Sequence, residues 1–243
     1  RFPDVRFIIL KREATCGEKI NYAMEESRSR LVFVLWSDMM PVGAAFTKER
    51  IENRIEEGIL CSVPVFKLEK HELLPFIHIP ARVKGRIQIL PFNRVHEGLA
   101  TLFPFDYCGI YDREKFLQSG GFDETIGNPY WQKLDFGFRV FMWGERILCN
   151  PAFMVKYTGH ITYDDNTPDT SYKKFFLKSL AVRMKRERCI LPFYQFFRYM
   201  LCSDTGPIAS LKEFSTIRQW VKANKSRFKR DSKQLIAEWE LPE

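Results

Sequence analysis

The stretch "GGFDETIGNPYWQKLDFGFRVFMWG", residues 120–144, decides the fold. A glycine pair follows "DREKFLQS" and leads into an acidic pair, a spacer and an aromatic-rich segment closed by Gly144. Glycine is the residue that most often ends a helix, so "DREKFLQSGG" predicts a short helix capped by Asp112 that stops at Gly120 or Gly121. A second helix is predicted from Trp131 to Trp143. Together with "DREKFLQS" before it, the stretch therefore predicts a helix, a glycine turn and a second helix.

Short apolar runs on either side of this stretch predict the strands of a sheet. "VRFIIL" (5–10), "LVFVLW" (31–36) and "ILCSVPVF" (59–66) are rich in β-branched residues, as buried strands are. "DYCGIY", "RILCN" and "AFMVKY" predict further strands, and helices are predicted over 17–29 and 47–57, the latter capped by Thr47. Strands that alternate with helices predict an α/β fold, with a mostly parallel sheet flanked by helices.

The chain divides by charge near residue 170. Residues 171–243 hold 16 Lys and Arg against 7 Asp and Glu, whereas the whole chain has 38 against 30. We predict an α/β domain over 1–170 and a basic, aromatic-rich helical extension over 171–243. Basic helices with aromatic faces suit an anionic membrane surface or a nucleic acid, and the alternative is a solvated helix face. Nucleic acid is the weaker choice because no recognised RNA or DNA motif is present.

One part of the extension favours a membrane surface. In "SYKKFFLKSLAVRMKRER" an apolar stripe of Phe176, Leu180 and Met184 recurs every four residues among lysines and arginines, and the aromatic run "ILPFYQFFRYML" follows. Both are too short to span a bilayer, which takes about 20 apolar residues. The alternative is that these apolar side chains pack back onto the α/β domain.

The six cysteines are scattered, without close pairs at metal-ligand spacing, and several lie in apolar runs. Buried free thiols of this kind favour a reducing compartment. We predict a cytoplasmic protein, attached to a membrane if the extension binds one.

Two polar residues follow predicted strands. Asp38 stands two residues beyond "LVFVLW", and His160 comes soon after "AFMVKY". Ligands of open α/β sheets bind outside the carboxyl ends of the strands. An Asp and a His there suit Mg²⁺ or Mn²⁺, which combine few protein ligands with phosphate oxygens. The alternatives are an Asp that opens a turn before Pro41 and a structural or exposed His.

Asp135 and Arg139 are four residues apart on one face of the second predicted helix. One interpretation is a surface ion pair that contributes about 0.3–0.5 kcal/mol. The other makes Asp135 a general base or an acceptor for a sugar hydroxyl, held ionised by Arg139.

The order of these segments resembles the family 2 glycosyltransferases of the GT-A fold. "PDVRFIIL…CGEKINYAMEESRSRLVFVLWSD" is similar to their strand, Asn-bearing helix and strand ending in a metal-binding DxD motif. "GIYDREKFLQSGGFDE" and "YWQKLDFGFRVFMWGERILCNPAFMVKYTGH" are similar to the GGFDE segment and to the final segment with its acidic pair, Arg and His. The resemblance covers roughly residues 3–160.

The resemblance implies a sugar transfer from a nucleotide-diphospho-sugar to a hydroxyl of a glycan or lipid-linked acceptor, assisted by a metal and inverting. It implies Asp135 as the catalytic base and Asp38 and His160 as ligands of Mg²⁺ or Mn²⁺. It also implies a set of substrate-binding residues: Asn21, Gly120, Gly121, Asp123, Glu124, Trp131 and Arg139.

Three departures from the family pattern support a rival function. Trp36 replaces the first acid of DxD, and Gln132 and Lys133 replace the acidic pair that carries the base. A protonated lysine cannot accept a proton. The family's first strand–helix–strand unit, which holds the nucleotide base, has no counterpart before Arg1. The rival is a degenerate, non-catalytic module of the same fold that binds a sugar or nucleotide.

Overall fold

The computed structural model describes residues 5–55, 57–68, 77–84, 86–92, 97–159, 164–186, 188–201 and 206–239, without the side chains of Arg54, Arg86, Arg198 and Leu201. The helices are α1 Cys16–Glu26, α2 Lys48–Arg54, α3 Arg113–Ser119, α4 Pro129–Met142, α5 Thr170–Phe175, α6 Tyr194–Leu201, α7 Pro207–Ala223 and α8 Ser232–Ala237. The strands are β1 Leu31–Val34, β2 Met39–Val42, β3 Cys61–Lys67, β4 Ile77–Val83, β5 Arg86–Phe92, β6 Gly109–Asp112, β7 Ile147–Tyr157, β8 Arg183–Lys185 and β9 Arg188–Ile190.

The central sheet has five strands in the order β1-β6-β3-β7-β2. Strands β3 and β7 pair in parallel, whereas the β1–β6, β3–β6 and β2–β7 pairs are antiparallel. The sheet is therefore mixed rather than mostly parallel, and this corrects one detail of the predicted α/β fold. The reason lies in β2 and β6, which run against β1, β3 and β7, and strand direction cannot be read from an apolar run. Two hairpins, β4–β5 and β8–β9, stand outside this sheet.

Local sequence signals account for the helices next to the glycine turn. Asp112 accepts a hydrogen bond from the Lys115 amide at 3.0 Å and so caps α3, as predicted. Gly120, with φ 84°, ends α3 in the left-handed region. Asn128 caps α4 by accepting from the amides of Tyr130 and Trp131. Both predicted helices are confirmed.

Two strand predictions differ from the structure. Residues 5–10 form no strand, and Phe7 and Ile9 are 77% and 89% exposed. An apolar run becomes a strand only when a neighbour completes its hydrogen bonds, and no described strand lies beside this one. "RILCN" and "AFMVKY" are one strand, β7, whose register on β3 shifts between Val63 and Val65. Such a bulge bends a strand without ending it.

Helix α4 lies between two apolar clusters. On one side Phe136 and Val140 pack with α1, α3 and the central strands. On the other, Leu134, Phe138 and Met142 pack with residues of α5 to α8. A single cluster thus joins both sides of the predicted boundary at residue 170, and the division into two domains stays a prediction.

The basic extension is less helical than predicted. Helix α5 passes into a π-helical turn over Phe176–Leu180, and the chain then forms the β8–β9 hairpin. Met184 is therefore in a strand and does not extend a helical stripe with Phe176 and Leu180. All three are partly buried against the cluster that includes α4. This stripe therefore packs back onto the protein, and binding of the extension to a membrane surface stays a prediction.

The five described cysteines, Cys16, Cys61, Cys108, Cys149 and Cys189, are free thiols. No helix in the described part of the chain is long and apolar enough to cross a membrane. The cytoplasmic location stays a prediction.

Candidate active site

Asp38 lies in the turn between β1 and β2, beside the end of β7. Its carbonyl accepts hydrogen bonds from the Thr158 amide at 2.9 Å and from the Thr158 hydroxyl at 3.0 Å. Trp36 anchors the start of the turn, because its indole N–H donates to the Asp106 carbonyl at 2.6 Å. The turn is thereby fixed at one edge of the sheet.

The Asp38 carboxylate lies directly against Gly159. A Cβ atom at residue 159 would overlap one carboxylate oxygen and the Tyr157 ring, so only glycine fits there without a rearrangement. His160 follows in the chain but lies outside the described residues. The prediction that Asp38 and His160 share a metal ion therefore stays a prediction. Within the described ranges, no group of three or more His, Cys, Asp and Glu side chains is arranged to hold a metal ion.

Three carboxylates and one ammonium interact at this edge. Burial raises the pKa of Asp106, the Lys133 ammonium lowers it, and the charges of Asp164 and Asp38 raise it further. Asp106 also has φ 42° and ψ 41°, a left-handed conformation that few non-glycine residues adopt. A strained backbone beside crowded carboxylates is common at functional sites. Since acids outnumber the ammonium here, a bound cation would be stabilised.

Lys133 occupies a position that the resemblance assigns to an acid. Its ammonium lies 2.6 Å from a carboxylate oxygen of Asp164, and its side chain is 4% exposed. The ammonium also lies 5.2 Å from the centre of the Tyr107 ring and 5.9 Å from that of Phe103. These contacts stabilise the positive charge of the Lys133 ammonium, and an ammonium group cannot accept a proton.

Gln132 occupies the other position of the missing acidic pair and is fully buried. Its Oε1 accepts from the Gly17 amide at 3.2 Å and from the Tyr107 hydroxyl at 3.0 Å. Its Nε2 donates to the Thr15 hydroxyl at 3.1 Å and to the Asp123 carbonyl at 2.9 Å. Both ends of the amide are satisfied, so Gln132 joins α1, α4 and the glycine turn.

The glycine pair has a structural explanation. Gly120 and Gly121 have φ values of 84° and 61°, which residues other than glycine adopt only at a cost in free energy. A Cβ atom on Gly121 would also overlap the Asn21 amide. That amide accepts from the Phe122 N–H at 2.9 Å and donates to the Phe122 carbonyl at 2.8 Å. Asn21 thus fixes the turn to α1.

Arg139 fixes the same turn from α4. Its guanidinium donates to the carbonyls of Ser119 and Gly121, and its Nε lies 3.4 Å from a carboxylate oxygen of Asp135. Both side chains are buried, at 4% and 0% exposure. The surface ion pair interpretation is therefore wrong: this is a buried pair.

Lys178, which the sequence analysis placed among the charges around the apolar stripe and not in the site, completes this network. Its ammonium lies 3.2 Å from Asp135 Oδ2 and 2.6 Å from Asp123 Oδ2. No donor from the described residues reaches Asp135 Oδ1. Burial would raise the pKa of Asp123, but Lys178 and hydrogen bonds from Thr125 outweigh it and lower the pKa to about 2. The apolar neighbours of Lys178 in "FFLKSL" were the available signal of a buried lysine.

A cavity of about 900 Å³ opens beside the glycine turn. Six of the seven residues predicted to bind substrate line it, namely Asn21, Gly120, Gly121, Asp123, Glu124 and Arg139. Lys178 lines the cavity too, whereas Asp135 lies behind it. The volume is in the range of small-molecule sites. The structure thus brings together most of the predicted set, and their role in binding stays a prediction.

The far wall of the cavity is aromatic and basic. Trp143, after α4, and Trp220, from α7, stack with ring centres 5.9 Å apart. The Arg227 guanidinium lies 3.8 Å from the centre of the Trp143 ring, and the Lys178 ammonium lies 4.7 Å from that of Trp220. Sequence reasoning missed this wall because it joins residues more than 70 positions apart.

Trp131 is the predicted substrate residue that lies elsewhere. It is 7% exposed and packs against Tyr172 and Phe175. Its indole N–H donates to the Thr167 carbonyl at 3.1 Å. These contacts make Trp131 a core residue.

A scan against protein-family models found no match, and a search of curated proteins found none either. Forty-nine chains of solved structures do match. One is the crystal structure of GalNAc-T7 with UDP, GalNAc and Mn²⁺, at a TM-score of 0.55 and 11% sequence identity. The alignment covers 96% of this chain and 46% of that one, so this chain spans about half of its length. The likeness confirms the α/β, GT-A-like fold.

Proposed function

We propose that this chain is part of a glycosyltransferase that moves a sugar from a nucleotide-diphospho-sugar to a hydroxyl of a glycan or lipid-linked acceptor. The observation that carries the proposal is the position of Asp38. It lies at the sheet edge, fitted against Gly159, in an acidic surrounding formed with Asp106 and Asp164. This is the edge at which ligands of α/β folds bind. Membership of family 2 and inversion at the anomeric carbon follow from the sequence resemblance and are part of the proposal.

The donor set at this edge suits a divalent cation. Asp38 supplies an oxygen ligand and the acids around it an excess of negative charge, and His160, two residues after Thr158, would be the second ligand. A bound Mg²⁺ or Mn²⁺ would neutralise charge that develops on the leaving diphosphate. Lys133 adds a fixed positive charge at the same edge.

The acceptor is proposed to occupy the cavity beside the glycine turn, with Asp135 as the base. In the described arrangement Lys178 covers Asp135 on the cavity side. For Asp135 to take a proton from an acceptor hydroxyl, Lys178 has to move away. Because Lys178 itself lines the cavity, a bound acceptor could displace its ammonium and uncover the carboxylate.

A second candidate is the non-catalytic binding module. It is favoured by the groups that replace the acidic pair: Gln132 uses both ends of its amide in structural hydrogen bonds, and Lys133 is ion-paired to Asp164. Neither accepts a proton. A module of this kind would bind the donor without turning it over.

Calorimetric titration with UDP and a panel of nucleotide-diphospho-sugars, with and without MnCl₂, tests the proposal. Asp38→Asn should weaken metal-dependent binding at least tenfold, whereas Glu52→Gln, at an exposed carboxylate on α2, should not. Release of nucleoside diphosphate in the presence of hydroxyl acceptors then separates the two candidates. Binding with release supports the transferase, and binding without release supports the module. Absence of binding to every donor refutes both.

A further inference from the structure

The surface around α6 exposes large apolar side chains that the rest of the fold does not cover. Ile190, Phe193, Tyr194 and Phe197 are 41%, 48%, 62% and 55% exposed, and we name these four residues the aromatic ridge. The rings of Phe193 and Phe197 meet edge to face at 6.0 Å. A contiguous exposed patch of large apolar side chains commonly marks a surface that binds another body.

The ridge is held in place from beneath. Phe196 and Tyr199, on the opposite face of α6, are buried in the cluster shared with α4 and α7. Phe193 also packs edge to face against Phe214 of α7, with ring centres 5.9 Å apart. The ridge is therefore a supported feature of the fold and not a frayed end.

A basic cavity of about 750 Å³ adjoins the ridge, and Ile190 and Phe193 belong to both. Its charged lining residues are Arg188, Arg218, Lys222 and Lys225, and no Asp or Glu side chain from the described ranges lines it. Arg188, Lys222 and Lys225 form no ion pair with a described residue. As far as the described residues go, the cavity is therefore a site of uncompensated positive charge.

We propose that the aromatic ridge and the basic cavity together dock the protein on an anionic lipid leaflet. The cavity would take the phosphate of an acidic headgroup, and the ridge would enter the boundary between headgroups and acyl chains. Interfacial proteins bind by this combination of apolar burial and attraction to acidic lipid. The charge of the cavity identifies the lipid as anionic.

The ridge favours a membrane over a nucleic acid. Nucleic acid surfaces use aromatic rings as stacking platforms within a basic groove. Here Ile190 is part of the exposed surface, and the ring of Phe193 is engaged edge-on by Phe197 and by Phe214. The ridge extends beyond the charged cavity to Tyr194 and Phe197, which do not line it, and an apolar surface beside a basic cavity suits insertion between lipids.

Co-sedimentation of the full chain with vesicles tests the proposal independently of any transferase activity. We expect binding to phosphatidylcholine vesicles that contain 40% phosphatidylserine, at least tenfold weaker binding to pure phosphatidylcholine, and loss of binding in 0.5 M NaCl. Lys222→Gln/Lys225→Gln should weaken binding at least tenfold. Lys229→Gln/Lys233→Gln removes the same charge from exposed lysines outside the cavity and should change binding less than threefold.

A second arm tests insertion. Phe197→Trp places a fluorophore on the ridge, and brominated lipid should quench it if the ridge enters the leaflet. Phe197→Ser with Tyr194→Ser should weaken binding at least tenfold while the circular dichroism spectrum is unchanged. Equal binding to neutral and acidic vesicles, the absence of quenching, or equal effects of the two lysine pairs would overturn the proposal. So would binding to single-stranded RNA with none to acidic vesicles.

Discussion

The ammonium of Lys178 lies 3.2 Å from a carboxylate oxygen of Asp135, and both side chains are buried, at 9% and 0% exposure. Asp135 belongs to α4, beside the central sheet, and Lys178 to the π-helical turn of the basic extension. Arg139 reaches the same carboxylate oxygen from the other side. The extension therefore supplies charge compensation that α4 needs in order to bury an acid.

Lys178→Met should destabilise the protein by about 3–5 kcal/mol, because the substitution leaves two carboxylates with one buried cationic partner fewer. Urea unfolding followed by tryptophan fluorescence measures the change. Lys174→Met is the matched control, since among the described residues the Lys174 ammonium donates only to the Thr125 carbonyl, at 2.7 Å, and is not buried. Equal losses for the two variants would show that the ion pair with Asp135 contributes little.

Asp135→Asn separates a base from a counter-ion. If the proposed base is correct, sugar transfer by the folded variant falls at least a hundredfold while UDP binding is retained. Stability should also fall, because Lys178 and Arg139 lose their shared anion. Transfer is therefore measured per folded molecule, at a temperature well below the unfolding midpoint of the variant. Full transfer by folded Asp135→Asn would leave Asp135 as a structural ion-pair partner.

Gly159→Ala should disturb the Asp38 carboxylate, since the added methyl group would overlap one of its oxygens and the Tyr157 ring. We expect at least tenfold weaker metal-dependent donor binding by calorimetry. Gly127→Ala is the control, because its added Cβ would have no heavy atom within 4 Å. If both alanines bind the donor as the parent protein does, the fit of Asp38 against Gly159 is not part of the site.

How far the sequence predicts this structure depends on the range of the interactions. The ends of α3 were predictable because Asp112 and Gly120 act on their own neighbours, whereas α4 begins two residues before the predicted start at Trp131, after its cap Asn128. The failure of residues 5–10 to form a strand was not predictable, because a strand depends on partners that are distant in sequence. The same holds for the site. The motif residues near Gly120 could be selected, but Lys178 reaches Asp135 across 43 positions, and no local pattern links them.

Titration of His78 should make stability fall in mild acid. Burial, and then the Lys133 charge, lower the pKa of His78 to about 4, against a hydrogen bond to the Phe103 backbone that raises it. The unfolded chain therefore binds a proton near its ordinary pKa of 6.5, and the folded protein does so only near 4. The stability that neutral His78 contributes is complete above pH 6.5 and is lost as the pH falls to about 4. The loss is at most about 3 kcal/mol, and it is smaller than this limit because the ring is partly exposed.

His78→Gln removes this titration and keeps a side-chain N–H that can donate to the Phe103 backbone. The free energies of unfolding of the two proteins are measured in urea between pH 7.5 and 4. We expect the difference between them to change across this pH range. Carboxylates that titrate in the same range act on both proteins alike, so the difference isolates His78. The parent protein should lose more stability on acidification. Parallel profiles would show that His78 titrates as an exposed histidine and that its stacking on Phe103, at 4.2 Å between ring centres, does not exclude a charged ring.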